Sequence, residues 1–359
     1  MIFIQMFSKI LLFLNAFLVI NKHSHYNGVL NPSQFVSRLD NVMVSETGKI
    51  SELMLGMDDF DETDDLFDIQ TTMIKSALDQ GIYVRIYPII HEYPWKLKRN
   101  LRKHFNTEMP VNITIVEDFN VDTTWIRDYG PIFIQENSTL TVIDMDYFQR
   151  RPRDDLMNYH YALRTGEHLR HVHLASEGGN ILANGNGICI VSDVIFNFNF
   201  VNEKTISEKQ ALMRKLLASM GCPYTIIMPA LIGDATGHVD MYMSWANNIT
   251  LLVGVYNRNQ HLQNHIIVSN AVKMLRKVGR GLFDVVEMPM PNCSKCTWSN
   301  HVHIGNDVIV PVYKEENSTV QDDVLMLITH YTKKRIIPVF ADELVKWNGV
   351  FHCITKTKP

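Results

Sequence analysis

Strand-like and helix-like apolar patterns alternate along most of the chain, and no low-complexity or Pro/Gly/Ser-rich linker interrupts them. Runs that read as strands cover 83–89, 113–116, 132–135, 140–145, 188–191, 225–228, 249–255, 308–312 and 336–340. Runs with helical spacing cover 69–78, 95–105, 207–220, 262–278 and 322–331. Such alternation predicts an α/β fold, because each helix must cross back over a sheet face and cover it. With 359 residues, 46% of them hydrophobic, the chain can bury a large core. One domain over 25–359 is expected, since nothing divides it.

The first residues have a different pattern. Lys9 precedes an apolar run, 10–20, broken only by Asn15. That length suits a signal peptide and is too short to span a bilayer, so residues 1–24 are expected to direct secretion, without stable membrane insertion. The sequence after Ile20 lacks a small-x-small cleavage pattern, and a buried or membrane-associated helix is the competing reading. Asn112, Asn137, Asn248, Asn292 and Asn317 each begin an Asn-x-Ser/Thr sequon, in keeping with an exported glycoprotein. Asn31 is followed by Pro32 and does not count. Five cysteines leave one thiol unpaired in an exported chain, and Cys353 is the candidate. Cys293 and Cys296 form a lone CxxC, too little for zinc; a local disulfide or two free thiols are the readings left. A net charge of −4 with no basic run argues against nucleic acid and is compatible with a cationic substrate. Gly185-Asn186-Gly187 lacks the third glycine of a nucleotide loop and reads as a turn between strands.

Four segments carry reactive groups. In Trp125-Ile126-Arg127-Asp128-Tyr129-Gly130-Pro131, an aromatic face and a carboxylate could cradle a delocalised cation; an Arg127–Asp128 ion pair at a turn is the alternative. Glu177-Gly178-Gly179-Asn180 is the second. In Thr236-Gly237-His238-Val239-Asp240, an extended backbone would turn His238 and Asp240 to one face, a proton carrier beside a cation-binding acid; a surface His–Asp pair is the alternative. His352-Cys353-Ile354-Thr355 is the last, and by itself Cys353 could be a core residue. Together they supply a thiol, a histidine and two aspartates. Splitting a guanidinium takes carboxylates for its N–H edges, a thiolate for its carbon and a proton carrier for departing ammonia.

At these residues the chain resembles the bacterial peptidylarginine deiminases and agmatine deiminases of the pentein superfamily, which carry the four motifs in this order. The resemblance implies a five-bladed α/β propeller with pseudo-fivefold symmetry and its site in the central funnel. It implies Cys353 as nucleophile, His238 as proton carrier, Asp128 and Asp240 as guanidinium holders, and Asn300 as an assisting group. Trp125, Glu177 and Asn180 would border the substrate, with the glycines letting backbone approach. No cofactor and no metal are implied. Arg151 and Arg153, in Phe148-Gln149-Arg150-Arg151-Pro152-Arg153, resemble the stretch with which the peptidylarginine branch grips a terminal carboxylate; a solvated charged loop is the alternative. The Gly-rich lead-in to the cysteine is reduced to one glycine in Asn348-Gly349-Val350-Phe351, and residues 1–60 show no usable match. The expected reaction converts peptidyl arginine, with C-terminal arginine favoured, to citrulline and ammonia. Agmatine deimination is the alternative, and a non-catalytic pentein scaffold is the alternative of another class. The expected partner is an arginine-containing peptide or a small guanidino compound.

Overall fold

The structure, a computed structural model, describes residues 41–58, 64–89, 94–106, 110–199 and 205–359. The expected signal segment, 1–24, lies outside the described residues. Those described form five small sheets, ordered β1-β5-β6-β7, β10-β9-β8, β11-β12-β13, β14-β15-β16 and β17-β2-β3-β4. The strands are β1 Asn41–Met43, β2 Glu52–Met57, β3 Tyr83–Pro88, β4 Ile113–Ile115, β5 Ile132–Glu136, β6 Thr139–Asp146, β7 His168–Ala175, β8 Ile181–Ala183 and β9 Ile188–Ser192. They continue with β10 Tyr224–Met228, β11 Met243–Asn247, β12 Thr250–Val255, β13 Asp284–Pro289, β14 Val302–Ile304, β15 Asp307–Val312, β16 Arg335–Phe340 and β17 Thr355–Lys358.

One unit recurs in every sheet. A first strand pairs antiparallel with a second, and the second pairs parallel with a third after a helical crossover. The main crossover helices are α1 Asp65–Leu78, Pro152–Thr165, Ile206–Ser219, Leu262–Val278 and Ser318–Thr332. Parallel pairing requires such a crossover, which covers one sheet face. All six residues of β2 and all six of β15 are buried. The fifth sheet joins the two ends of the described chain, for β17 pairs with β2 with Thr355 opposite Leu55. The five units match the pentein architecture that the resemblance implies.

Local sequence accounts for several boundaries. The Asp64 carboxylate accepts from Leu66 N at 2.8 Å at the start of α1, and Leu66, Ile69, Met73 and Ala77 then fall on its buried face. Thr205 and Glu208 form a capping box at the start of the Ile206–Ser219 helix. The Gly185–Gly187 segment is the turn between β8 and β9, as expected, with both glycines at positive φ.

Two local expectations need correction. The charged stretch after Phe148 is not a loop throughout, because Pro152–Thr165 is a helix with Pro at its first position. Its pattern is blurred because Asp154 and Asn158 are buried while Leu156, Tyr159 and Leu163 are exposed. The segment 236–240 is not extended throughout; His238 has extended φ and ψ, but Val239–Met241 is a 3₁₀ turn. His238 and Asp240 therefore meet by a turn and not by the alternation of a strand.

Candidate active site

Each motif lies where one repeating unit hands over to the next. Asp128 lies between β4 and β5, Glu177–Asn180 between β7 and β8, and His238–Asp240 between β10 and β11. Asn300 lies between β13 and β14, and His352–Cys353 between β16 and β17. All five handovers therefore contribute, and direct bonds tie most of them to their neighbours. Gly179 N donates to Asp128 Oδ1 at 3.2 Å, Val239 N to Asn180 Oδ1 at 3.3 Å, His352 N to Asn300 Oδ1 at 3.0 Å, and Arg127 N to the Cys353 carbonyl at 3.2 Å.

Gly179 sits in the middle of the reactive groups. A Cβ there would come within 2.7 Å of His238 Nδ1, 2.9 Å of Asp128 Oδ1 and 3.1 Å of Asp240 Oδ2. No other residue type leaves room for that approach. Gly178 is equally confined, since its Cβ would lie 2.1 Å from the Arg127 carbonyl oxygen. The single glycine before the cysteine has a similar reason, for a Cβ on Gly349 would lie 2.4 Å from the Trp125 ring. Trp125 is half-buried and packs against the core under this sheet.

Cys353 is the free thiol among the described cysteines; Cys189 pairs with Cys222 and Cys293 with Cys296. Asn300 Nδ2 lies 3.3 Å from Cys353 Sγ, and Asp240 Oδ2 lies 3.9 Å from it. Burial, reinforced by the charges of Asp240 and Asp128, pushes the thiol well above its usual range, while the Asn300 contact opposes this. His238 Nε2 lies 2.8 Å from Glu177 Oε2, and its Nδ1 lies 3.7 Å from Asp128 Oδ1. Burial disfavours a charged His238 ring, but Asp128 and then Glu177 outweigh it and raise the ring to about 10. Burial raises Asp128 to about 7 against the pull of His238. Near neutrality His238 is thus an imidazolium between Glu177 and Asp128.

One contributor was not legible in the sequence. Glu46, in the segment between β1 and β2, pairs with Arg127 Nη1 and accepts from His352 Nε2 at 2.8 Å. The other ring nitrogen of His352 lies 2.8 Å from Asp240 Oδ2. Arg127 Nε donates to the His352 carbonyl at 3.0 Å. Glu46, Arg127 and His352 therefore hold Asp240 and the Cys353 backbone from behind. Burial opposes the charge on Glu46, but Arg127, His352 and Lys356 hold its carboxyl well below its usual value of 4.5. Arg127 thus pairs with Glu46, across 81 residues of sequence, and not with Asp128 beside it.

The residues expected to border the substrate divide. Glu177 instead binds His238. Asn180 is 2% exposed and its Oδ1 accepts from Ser192 N at 3.0 Å and Val239 N, so it braces backbone and has no group turned to a ligand. Arg151 is half-buried, donates to the Tyr147 hydroxyl at 3.0 Å, and lies over the Phe148 ring; Asp128 is within its electrostatic reach. Arg153 is exposed, and its backbone N–H donates to Asp122 Oδ2 at 2.9 Å. Among the described residues its guanidinium has no hydrogen-bond or ion-pair partner.

An imidazolium and two carboxylates stand around one glycine on a five-unit fold, with a thiol 3.9 Å from one of those carboxylates. A family model described as Porphyromonas-type peptidyl-arginine deiminase matches residues 68–359, and the chain belongs to that family. A Streptomyces coelicolor protein provisionally named an agmatine deiminase is 23% identical over 265 residues, 67% of this chain and 76% of its own. The structure of C. jejuni agmatine deiminase superimposes with a TM-score of 0.70 at 20% identity, covering 94% of this chain and 98% of that one. A Porphyromonas gingivalis structure provisionally titled an arginine deiminase gives 0.73 at 18% identity, covering 89% and 98%. The protein is a deiminase-family hydrolase acting on guanidino C–N bonds.

Proposed function

We propose that the chain deiminates a small free guanidino amine of the agmatine kind, through a covalent intermediate on Cys353. The ring of groups around Gly179 carries this reading. Asp128 and Asp240 take the N–H edges of the guanidinium, and the bound cation offsets the two negative charges that hold the thiol protonated. The thiol proton, no longer held by uncompensated charge, passes to solvent, and the Cys353 Sγ thiolate attacks the guanidinium carbon. His238 gives its proton to the leaving nitrogen, ammonia departs, and a thiouronium remains. His238, now neutral, takes a proton from water; the hydroxide adds to the carbon, the C–S bond breaks, and a ureido product leaves. Asn300 donates to sulfur, and Glu177 keeps His238 charged before attack.

The small substrate is favoured by enclosure, for Cys353, His238 and Asp240 are each 4% exposed or less, which suits a thin alkyl guanidine better than a folded peptide surface. The names of the C. jejuni and S. coelicolor relatives point the same way. C-terminal peptidyl arginine is the second reading, supported by Arg151 at Tyr147, where one guanidinium could meet one carboxylate. The experiment compares agmatine with matched peptides ending in free-acid or amidated arginine. Agmatine as best substrate supports the first reading. A free-acid peptide that surpasses both others replaces it with the second. Turnover by Cys353→Ser, or no conversion of any of the three, overturns both. We also propose export: all five sequon asparagines are exposed, and native material should start near residues 21–27 and, from a eukaryotic host, carry glycan. Mass spectrometry finding intact Met1 and bare asparagines would refute that.

A further inference from the structure

The outer strand pair of the first sheet presents ring nitrogens and carboxylate oxygens that the reaction does not use. β6 and β7 run parallel with Asp144 opposite His171, and an irregularity after Met145 shifts Asp146. Residues two apart on a strand share a face. Asp144, Asp146, His171 and His173 thus stand together on one side, while Met145 and Val172 enter the core.

The hydrogen bonds fix which atoms are free. Asn158 Nδ2 donates to Asp144 Oδ1 at 3.3 Å, and Asp144 Oδ2 lies 2.9 Å from His171 Nδ1. A carboxylate at Nδ1 keeps the proton there and leaves the lone pair on Nε2. That Nε2 lies 3.1 Å from His173 Nδ1 and 3.3 Å from Asp146 Oδ1. His173 Nδ1 lies 3.9 Å from Asp146 Oδ2. One ligand atom from each of His171, His173 and Asp146 thus lies within 4.8 Å of the other two. Donor atoms about 2.0–2.1 Å from a tetrahedral zinc ion stand about 3.3 Å from each other, close to these separations. Hard cations such as calcium and magnesium prefer sets made only of oxygen.

We propose that His171, His173 and Asp146 bind a divalent transition-metal ion of the zinc class, with Asp144 orienting the His171 ring. Such an ion ties together the C-terminal ends of two strands. One continues into Tyr147 and Arg151 at the rim, and the other into Glu177, so the ion acts as a clamp on the site's supports and takes no part in the reaction.

The test must separate this cluster from Asp128, Glu177 and His238, whose ligand atoms also lie close enough together to hold an ion. The full chain is prepared without a histidine tag, stripped by chelator, and carries Cys353→Ser with His238→Ala. Cobalt(II) added to this protein should give one equivalent of binding with visible d–d bands, and zinc should displace it and raise the Tm. Adding His171→Ala with His173→Ala should abolish the bands and the zinc-dependent Tm rise; both side chains are substantially exposed, so the metal-free Tm should stay unchanged. Asp144→Asn should weaken binding about 10–100-fold. Absence of bands in the parent, or bands and Tm rise that survive the double histidine replacement, overturns the proposal.

Discussion

Gly179 shows how strongly one residue can constrain this site. Its missing Cβ makes room for three polar atoms that would otherwise be pushed apart by a few tenths of an ångström to an ångström. Gly179→Ala should therefore lower kcat/KM about 100-fold, since displacements of that size at reacting groups cost that much, while the variant keeps its circular dichroism spectrum. Activity within threefold of wild type would mean that the linker simply yields. Glu177 acts through charge. His238 is raised to about 10, so the proton donor is present up to that pH and is lost above it. Glu177→Gln removes one of the charges that support the imidazolium, and the alkaline limb of kcat/KM should move down by about one pH unit or more. An unmoved limb would assign it to another group. Cys353, His238, Asp240 and Asp128 were legible because each lies in a short motif whose chemistry is recognisable in the sequence. The partner of Glu177 was not legible, since nothing in a linear sequence says that residue 177 faces residue 238.

Among elements, the handovers between units carry the reactive side chains and the sheets hold them. The alternation of patterns gave the α/β class and the approximate place of five main helices but one, and the exception has a physical cause. In Pro152–Thr165 the buried side includes Asp154, whose carboxylate accepts from Asp122 N at 2.7 Å and Thr123 Oγ1 at 2.9 Å. Polar groups there hold the linker that leads to Asp128, so the buried stripe mixes Asp154 and Asn158 with Met157, Tyr161 and Ala162 and loses its apolar signature. β2 was missed because Glu-Leu-Met-Leu-Gly-Met holds no β-branched residue, whereas β15, equally buried, is rich in valine and isoleucine and was read as a strand. The β1–β2 connection was unreadable for another reason: Glu46 has no motif around it, and its role comes from residues 81 and 306 positions away. Glu46→Gln leaves the buried Arg127 without its ion pair, at a cost of about 2 kcal/mol, discounted because Glu46 itself is partly exposed. The sign of the pH dependence follows from its depressed carboxyl. The stabilisation is full above the unfolded value of 4.5 and is lost as pH falls through the lower folded value. Urea unfolding should show the variant weaker at pH 7 and the gap narrowing below about pH 4. A gap that does not change with pH would trace the loss to packing.

At the scale of the whole molecule, the ring of units closes through a short C-terminal strand that lies two residues beyond Cys353. Thr355, Lys356, Thr357 and Lys358 pair with Leu55, Met54, Leu53 and Glu52, and Ser51 N donates to the Lys358 carbonyl at 2.9 Å. Lys358 also pairs with Glu167, which lies beside β7 in the first sheet. One segment thus completes the fifth sheet, braces the first, and anchors Cys353 between them. Nothing in its sequence announces this, since Thr-Lys-Thr-Lys reads as a polar tail, yet Thr355, Lys356 and Thr357 are all buried. Removing residues 355–359 would leave β2 with an unpaired edge in the interior and free the backbone on one side of Cys353. Buried backbone groups without partners cost about 1–3 kcal/mol each, so the loss is comparable to the whole stability of an ordinary domain. The truncated chain should be inactive and should melt with low cooperativity or collect as aggregate. Cys353→Ser with an intact tail should instead melt as the wild type does, because it removes the chemistry and keeps the closure. A calorimetric trace from the truncated chain that matches the Cys353→Ser trace would show that the five units hold together without this strand.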